Sequence, residues 1–177
     1  MNMIENLTRS GTEDCIIFQE RIEEDNYLKI VDEIGCWSYV GKMMQKRPQT
    51  LSLQSPYCID TENILHELVH ALGFHHEHQR PDRDEYLKIN FDNIDYSRRH
   101  IFKKIEQDSF IDLETPFDYK SIMLFKKNLF AINESIDTIN AVKPPFKIEP
   151  GKTLSEIDIY EIRKLYNCKS GKKKTHF

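Results

Sequence analysis

The chain has 177 residues, with 25 Lys and Arg against 29 Asp and Glu, for a formal charge of -4. That weakly acidic balance argues against nucleic acid as the main partner. A hydrophobic share of 39% beside 31% charged residues reads as one soluble, globular domain with a real core. No stretch approaches the roughly 18 consecutive apolar residues of a membrane span. Residues 1–10 lack the apolar h-region of a secretory leader.

In chain order, Met3, Ile4 and Leu7 stand at helical spacing and predict a short helix. Cys15 to Phe18, Tyr27 to Val31, Trp37 to Gly41 and Thr50 to Gln54 are apolar-rich runs of strand length, the last alternating in and out. Glu62 to Leu72 predicts a helix ended by Gly73. Residues 73–95 read as loop, Ile101 to Gln107 as a further helix, and 108–152, with four prolines, as mostly irregular. Ser155 as N-cap with Asp158 three residues on predicts a last helix, with Ile159, Ile162 and Leu165 or Tyr166 buried. Lysines 172–174 read as a solvated basic tail, residues 169–177, after a domain spanning 1–168. The order gives an α+β fold: an N-terminal mixed sheet with helices, then a mostly irregular C-terminal half closed by a helix.

Four cysteines lie far apart, a pattern that suits two disulfides in an oxidising compartment, with three pairings open. Sequons at Asn6 and Asn133 are compatible with export. The chemistry concentrates in His66-Glu-Leu-Val-His70-Ala-Leu-Gly73-Phe-His-His76. Four residues apart on a helix, His66 and His70 present their imidazoles one turn apart on one face. Glu67 sits beside the first of them, within reach of a water on the same metal. Gly73 takes the positive φ that ends the helix, and the chain turns to bring in a third histidine. His75 and His78 lie close by, but spacing favours His76. Three neutral histidines with an open fourth position describe a catalytic zinc site, with Glu67 as general base.

Residues 66–84, HELVHALGFHHEHQRPDRD, resemble the HExxHxxGFxHExxRxDRD signature of the astacin family of zinc endopeptidases in the metzincin clan. Cys36-Trp-Ser-Tyr-Val-Gly41, Gln49-Thr-Leu-Ser-Leu-Gln54, Tyr119-Lys-Ser-Ile-Met123, Leu154-Ser-Glu-Ile-Asp158 and Leu165-Tyr-Asn-Cys168 are similar to further landmarks in the same order. The resemblance implies a zincin domain with its active-site cleft between the two halves and one zinc ion per chain. It implies Met123 as the Met-turn floor, disulfides Cys15–Cys168 and Cys36–Cys58, and Ser52, Leu53 and Gln54 as a rim strand that pairs with extended substrate. It further implies that Arg80, Asp82, Arg83 and Asp84 brace the loop below the site. Protein or peptide is the implied substrate, with no membrane span and no nucleic acid, and the chain is expected to be a secreted monomer.

Two departures shape the expectation. The family's Met-turn continues Ser-Ile-Met-His-Tyr, with a tyrosine hydroxyl for zinc or the oxyanion, whereas here the run is Ser121-Ile-Met-Leu124-Phe125. Loss of one oxyanion donor costs about 10²–10³ in turnover, so a slowed enzyme is expected; the alternative is a zinc-containing pseudo-protease that binds peptides. The family domain also begins earlier, so its first strand is expected to be missing. Glu77, which in the family pairs with the mature amino terminus, is then expected to lack that partner.

Overall fold

The elements in chain order are α1 (Asn2–Thr8), β1 (Ile16–Ile17), β2 (Leu28–Val31), β3 (Cys36–Ser38), β4 (Gln49–Leu53), α2 (Thr61–Ala71), β5 (Leu87–Ile89), β6 (Ile139–Ala141), α3 (Glu156–Leu165) and β7 (Thr175–His176), with 3₁₀ turns between Glu77 and Ser109. This computed structural model describes residues 1–9, 13–43, 47–142, 145–168 and 175–176. Apart from the β7 backbone, the expected basic tail lies outside the described residues. The elements gather into two units, Met1–Phe74 with Lys152–Phe177, and His75–Gly151.

In the first unit, β4 forms the middle of a mixed three-stranded sheet, parallel to β2 and antiparallel to β3. Its burial does not alternate: Leu51, Ser52 and Leu53 are all buried. The Ser52 hydroxyl makes this possible, because its one proton is shared between the carbonyls of Glu33 and Gly35 and its oxygen accepts the Glu33 N–H, so a polar group enters the interior bonded. Ser52 faces Val31 on one side and Trp37 on the other. Both edges of β4 are therefore taken there, and Gln54 is spent on the Gly35 N–H. At Ser52, β4 is therefore an inner strand, and among the described strands β2 and β3 form the edges of this sheet.

Helix α2 packs on this sheet through Leu65, Leu68 and Val69, each at most 2% exposed. Asp60 caps it by accepting the Asn63 N–H at 3.0 Å. Helix α3 carries the predicted capping box, with Ser155 and Asp158 bonded reciprocally at 2.8 and 2.9 Å. Its Ile162 is fully buried, and Tyr166 just beyond it donates its hydroxyl to the Leu72 carbonyl at 2.9 Å. The ends of α2 and α3 are thereby joined. Cys15 is bonded to Cys168 and Cys36 to Cys58.

The second unit is built around Leu87, Ile94, Phe102, Phe117, Leu124, Phe125 and Ile139, with β5 and β6 pairing antiparallel above them. Two expectations give way here. The stretch read as loop contains β5, whose three residues are too few to show a period. The helix expected over 101–107 is a 3₁₀ turn that stops at Phe102. Lys103 is extended, and the Ile105 N–H donates to the Gln79 carbonyl at 2.8 Å, a tertiary bond that outweighs local helical preference.

A polar network underlies the loop after α2. Arg80, 6% exposed, binds Asp82 through two bonds of 2.9 Å, reaches Glu77 at 3.2 Å, and donates to the Thr115 and Pro116 carbonyls. Glu77 Oε1 also accepts the Asp118 N–H at 2.7 Å. Its buried carboxylate therefore has partners inside this unit that the sequence reading did not anticipate. Arg83 donates to the carbonyls of His78 and Phe102 at 2.7 and 2.9 Å, a cation used as a backbone clamp. Replacing Arg80 by Met keeps the stem but strands Glu77 as a buried charge. We expect a loss of about 3–5 kcal/mol in unfolding free energy, measured by chemical denaturation; a loss below about 1 kcal/mol would show that the network is ornamental.

Candidate metal centre

Helix α2 ends because Gly73 adopts φ +110°, a conformation closed to most residues with a Cβ. The His70 carbonyl accepts the Gly73 N–H at 2.8 Å and the Gly41 N–H at 2.9 Å. The helix stops at Ala71, one residue after its second histidine, and the chain reaches His76 in extended conformation.

His66, His70 and His76 each offer one ring nitrogen, and these atoms all lie within 4.8 Å of one another. The rings of His66 and His70 meet at 90°, with centroids 4.7 Å apart. Two of the three imidazoles have a fixed tautomer. His70 Nδ1 lies 2.7 Å from the Phe74 carbonyl, which can only accept, so Nδ1 carries the proton and Nε2 keeps its lone pair. His76 Nδ1 lies 3.0 Å from Gln79 Oε1. The Gln79 amide is itself oriented, because its Nε2 donates to the Ile101 carbonyl at 3.1 Å. Outer partners of this kind preset histidines as neutral ligands for a cation.

Glu67 supplies a second mark of the site. It is 4% exposed, its Oε2 has no hydrogen-bond partner among the described residues, and burial alone pushes its carboxyl up to about 7. A buried oxygen of this type is costly unless something polar reaches it. A cation held by the neighbouring imidazoles, with its water, would meet that need, so the residues present fit a metal.

The other predicted residues have definite places. His78 is fully buried; its Nε2 faces the Ile101 carbonyl at 3.3 Å, and its ring lies against Phe125 with centroids 4.0 Å apart. It is a core histidine outside the converging set. Met123 is 3% exposed, its N–H donates to the Ser121 hydroxyl at 3.0 Å, and its carbonyl accepts the Glu77 N–H at 3.0 Å. This bond ties the turn at Ser121–Met123 to the residue after His76. Phe125 packs on His76 at 4.5 Å, and on Phe102 and Phe130 at 5.7 and 5.8 Å.

Comparison with known proteins agrees with this arrangement. The sequence profile of the astacin peptidase family matches residues 2–167. The chain belongs to the astacin family. Its sequence is 42% identical over 156 residues to the low choriolytic enzyme of Oryzias latipes, a match covering 87% of this chain and 55% of that protein. Zinc metalloproteinase nas-6 of Caenorhabditis elegans is 43% identical over 162 residues, covering 90% of this chain and 46% of that protein. The chain therefore spans about half the length of these astacin relatives. The solved structure of high choriolytic enzyme 1, a hatching enzyme zinc-protease from Oryzias latipes, superposes with a TM-score of 0.83 at 35% identity, over 95% of this chain and 82% of that one. The α+β architecture is accordingly that of an astacin-type metzincin domain.

Gln79 and the Phe74 carbonyl escaped the sequence reading. The signal for Gln79 was present, since an amide three residues after His76 is placed to bond its free nitrogen. The carbonyl carried no residue-type signal at all. Among single substitutions, His76→Ala is expected to lose zinc, while His75→Ala and folded His78→Ala retain it at one ion per chain, read by metal analysis after dialysis. Equal retention in all three would remove His76 from the ligand set.

Proposed function

We propose that this chain is the catalytic domain of a secreted zinc endopeptidase, spanning residues 1–168, with one zinc held by His66, His70 and His76. The observation that carries the reading is the convergence of three imidazoles, two of them with preset tautomers, beside a buried carboxylate oxygen that no described residue bonds. Bound there, zinc supplies Lewis acidity, polarising a peptide carbonyl and lowering the pKa of water towards 7. Glu67 Oε2 takes the proton from the attacking water and later returns it to the departing amine. Its low exposure keeps that exchange away from bulk solvent.

The substrate is a protein or peptide in extended form. We place it along β3, because β4 has no free edge at Ser52, and an open strand edge takes a peptide by backbone pairing. The same strand runs on to Gly41, whose N–H is fixed to the His70 carbonyl, which sets the distance between a paired peptide and the helix that bears two of the ligands. The two disulfides support an oxidising, extracellular setting. Among the described residues no helix is long and apolar enough to cross a membrane.

Phe125 occupies the position of the family's Met-turn tyrosine. Its ring is 7% exposed and braces His76, a packing role that needs no hydroxyl, while the oxyanion loses a donor. The enzyme is accordingly slow. Cleavage of a quenched peptide mixture by the zinc-loaded chain should be abolished by a chelator and by Glu67→Ala, with zinc retained in the variant. Cleavage by Glu67→Ala at the parent rate would end the general-base assignment. With one donor restored, Phe125→Tyr is expected to raise turnover by about 10²–10³. No cleavage by either the parent or Phe125→Tyr, with zinc bound, would favour a peptide-binding pseudo-protease.

A further inference from the structure

Two N-x-Ser/Thr sequons stand in the sequence, and the peptidase reading uses neither. Asn133, Glu134 and Ser135 are all exposed and lie at a turn. The turn is pinned from several sides. The Ile132 N–H donates to the Asn93 carbonyl at 2.9 Å, and the Ile136 N–H closes on the Asn133 carbonyl at 3.1 Å. The Asn128 amide donates to the Glu134 carbonyl at 3.1 Å. Inside this frame the Ser135 N–H donates to Asn133 Oδ1 at 2.9 Å, an Asx turn. That bond fixes the orientation of the side-chain amide through its oxygen. No hydrogen bond among the described residues uses Asn133 Nδ2.

The second sequon is held differently. Asn6, Leu7 and Thr8 form the last turn of α1. Thr8 is fully buried, its hydroxyl donates to the Ile4 carbonyl at 2.7 Å, and the Arg163 guanidinium holds the Leu7 and Thr8 carbonyls at 3.4 and 3.0 Å. An enzyme that reads an accessible sequon hydroxyl and backbone finds both occupied there unless α1 unwinds.

We propose that Asn133 is an N-glycosylation site and that Asn6 is not. The donor is an oligosaccharide carried on a polyprenyl diphosphate. Asn133 Nδ2 forms a bond to the anomeric carbon, the bond from that carbon to the diphosphate oxygen breaks, and its electron pair leaves with the diphosphate. The amide nitrogen gives up one proton to base, and nothing is oxidised or reduced. The transfer belongs to the compartment in which disulfides such as Cys15–Cys168 and Cys36–Cys58 form. The attached glycan stands next to Ile132, an isoleucine 65% exposed that nothing described covers.

The test routes the full chain through the endoplasmic reticulum of a eukaryotic cell and reads intact mass before and after a peptide N-glycosidase. It needs neither zinc nor hydrolysis, so its outcome is separate from that of the peptidase reading. We expect one glycan per chain in the parent and in Asn6→Gln, and none in Asn133→Gln or in Ser135→Ala, which keeps the asparagine. A parent without glycan, a glycan that survives in Asn133→Gln and Ser135→Ala, or one lost in Asn6→Gln would overturn the proposal, and two glycans per chain would overturn its exclusion of Asn6.

Discussion

The carbonyl oxygen of His70 accepts two backbone N–H groups, from Gly73 and from Gly41, and the rest of the site depends on that shared acceptor. A helix normally leaves its last carbonyls to water or to a cap. Here one bond turns the chain out of α2 and the other brings in the segment that follows β3. Both donors are glycines at positive φ, +110° and +68°. A Cβ on Gly41 would stand 3.5 Å from the Gly73 Cα, and one on Gly73 would meet Leu165 at 3.6 Å. Contact at those distances is ordinary, so space alone does not require glycine. The backbone angles favour it, since at such φ values an L side chain is strained. The same residue thus offers a ring nitrogen to the histidine cluster and fixes the strand, the turn and the helix end through its main chain.

Beyond that turn, charge does the positioning that apolar packing does in α2. Residues 76–84 contain little hydrophobic surface, and a segment of this kind holds its shape only if its buried polar groups are bonded. Arg80 and Arg83 meet the requirement in different ways. Arg80 joins two carboxylates to two carbonyls, whereas Arg83 bridges the His78 and Phe102 carbonyls and also meets Asp84 at 2.6 Å. The planar fork of guanidinium suits both tasks, and a lysine would reach fewer of these acceptors. Glu77 links this network to the metal centre, because its carboxylate faces Arg80 while its N–H holds the Met123 carbonyl.

Legibility in the sequence followed the length of the pattern. α2 and α3 were readable because each has a periodic face and a capping residue at the right offset, and the histidine spacing favoured the three imidazoles that converge. The roles of β4 and β3 were not readable. Both are short apolar runs, and which of the two is the edge depends on a crossover that places β2 beside β4, a long-range pairing without local signal. The helix expected at 101–107 failed for a related reason, since its Ile105 N–H is claimed by Gln79. For Glu77 the family resemblance drew attention to a distant amino-terminal partner, while the local one, Arg80, stood three residues along in the sequence.

Phe125 serves the metal centre and the apolar core at once. Its ring touches His76, His78, Phe102 and Phe130, and it belongs to the same buried cluster as Phe117 and Leu124. Most of the ring's value to the fold comes from apolar area and edge-to-face contact, which phenylalanine and tyrosine supply almost equally. A buried hydroxyl, by contrast, costs stability unless it finds a partner. Phenylalanine at this position therefore keeps the packing against His76 and brings no hydroxyl that would have to be bonded. The packing that holds His76 is thus independent of any polar role a side chain could have at this position.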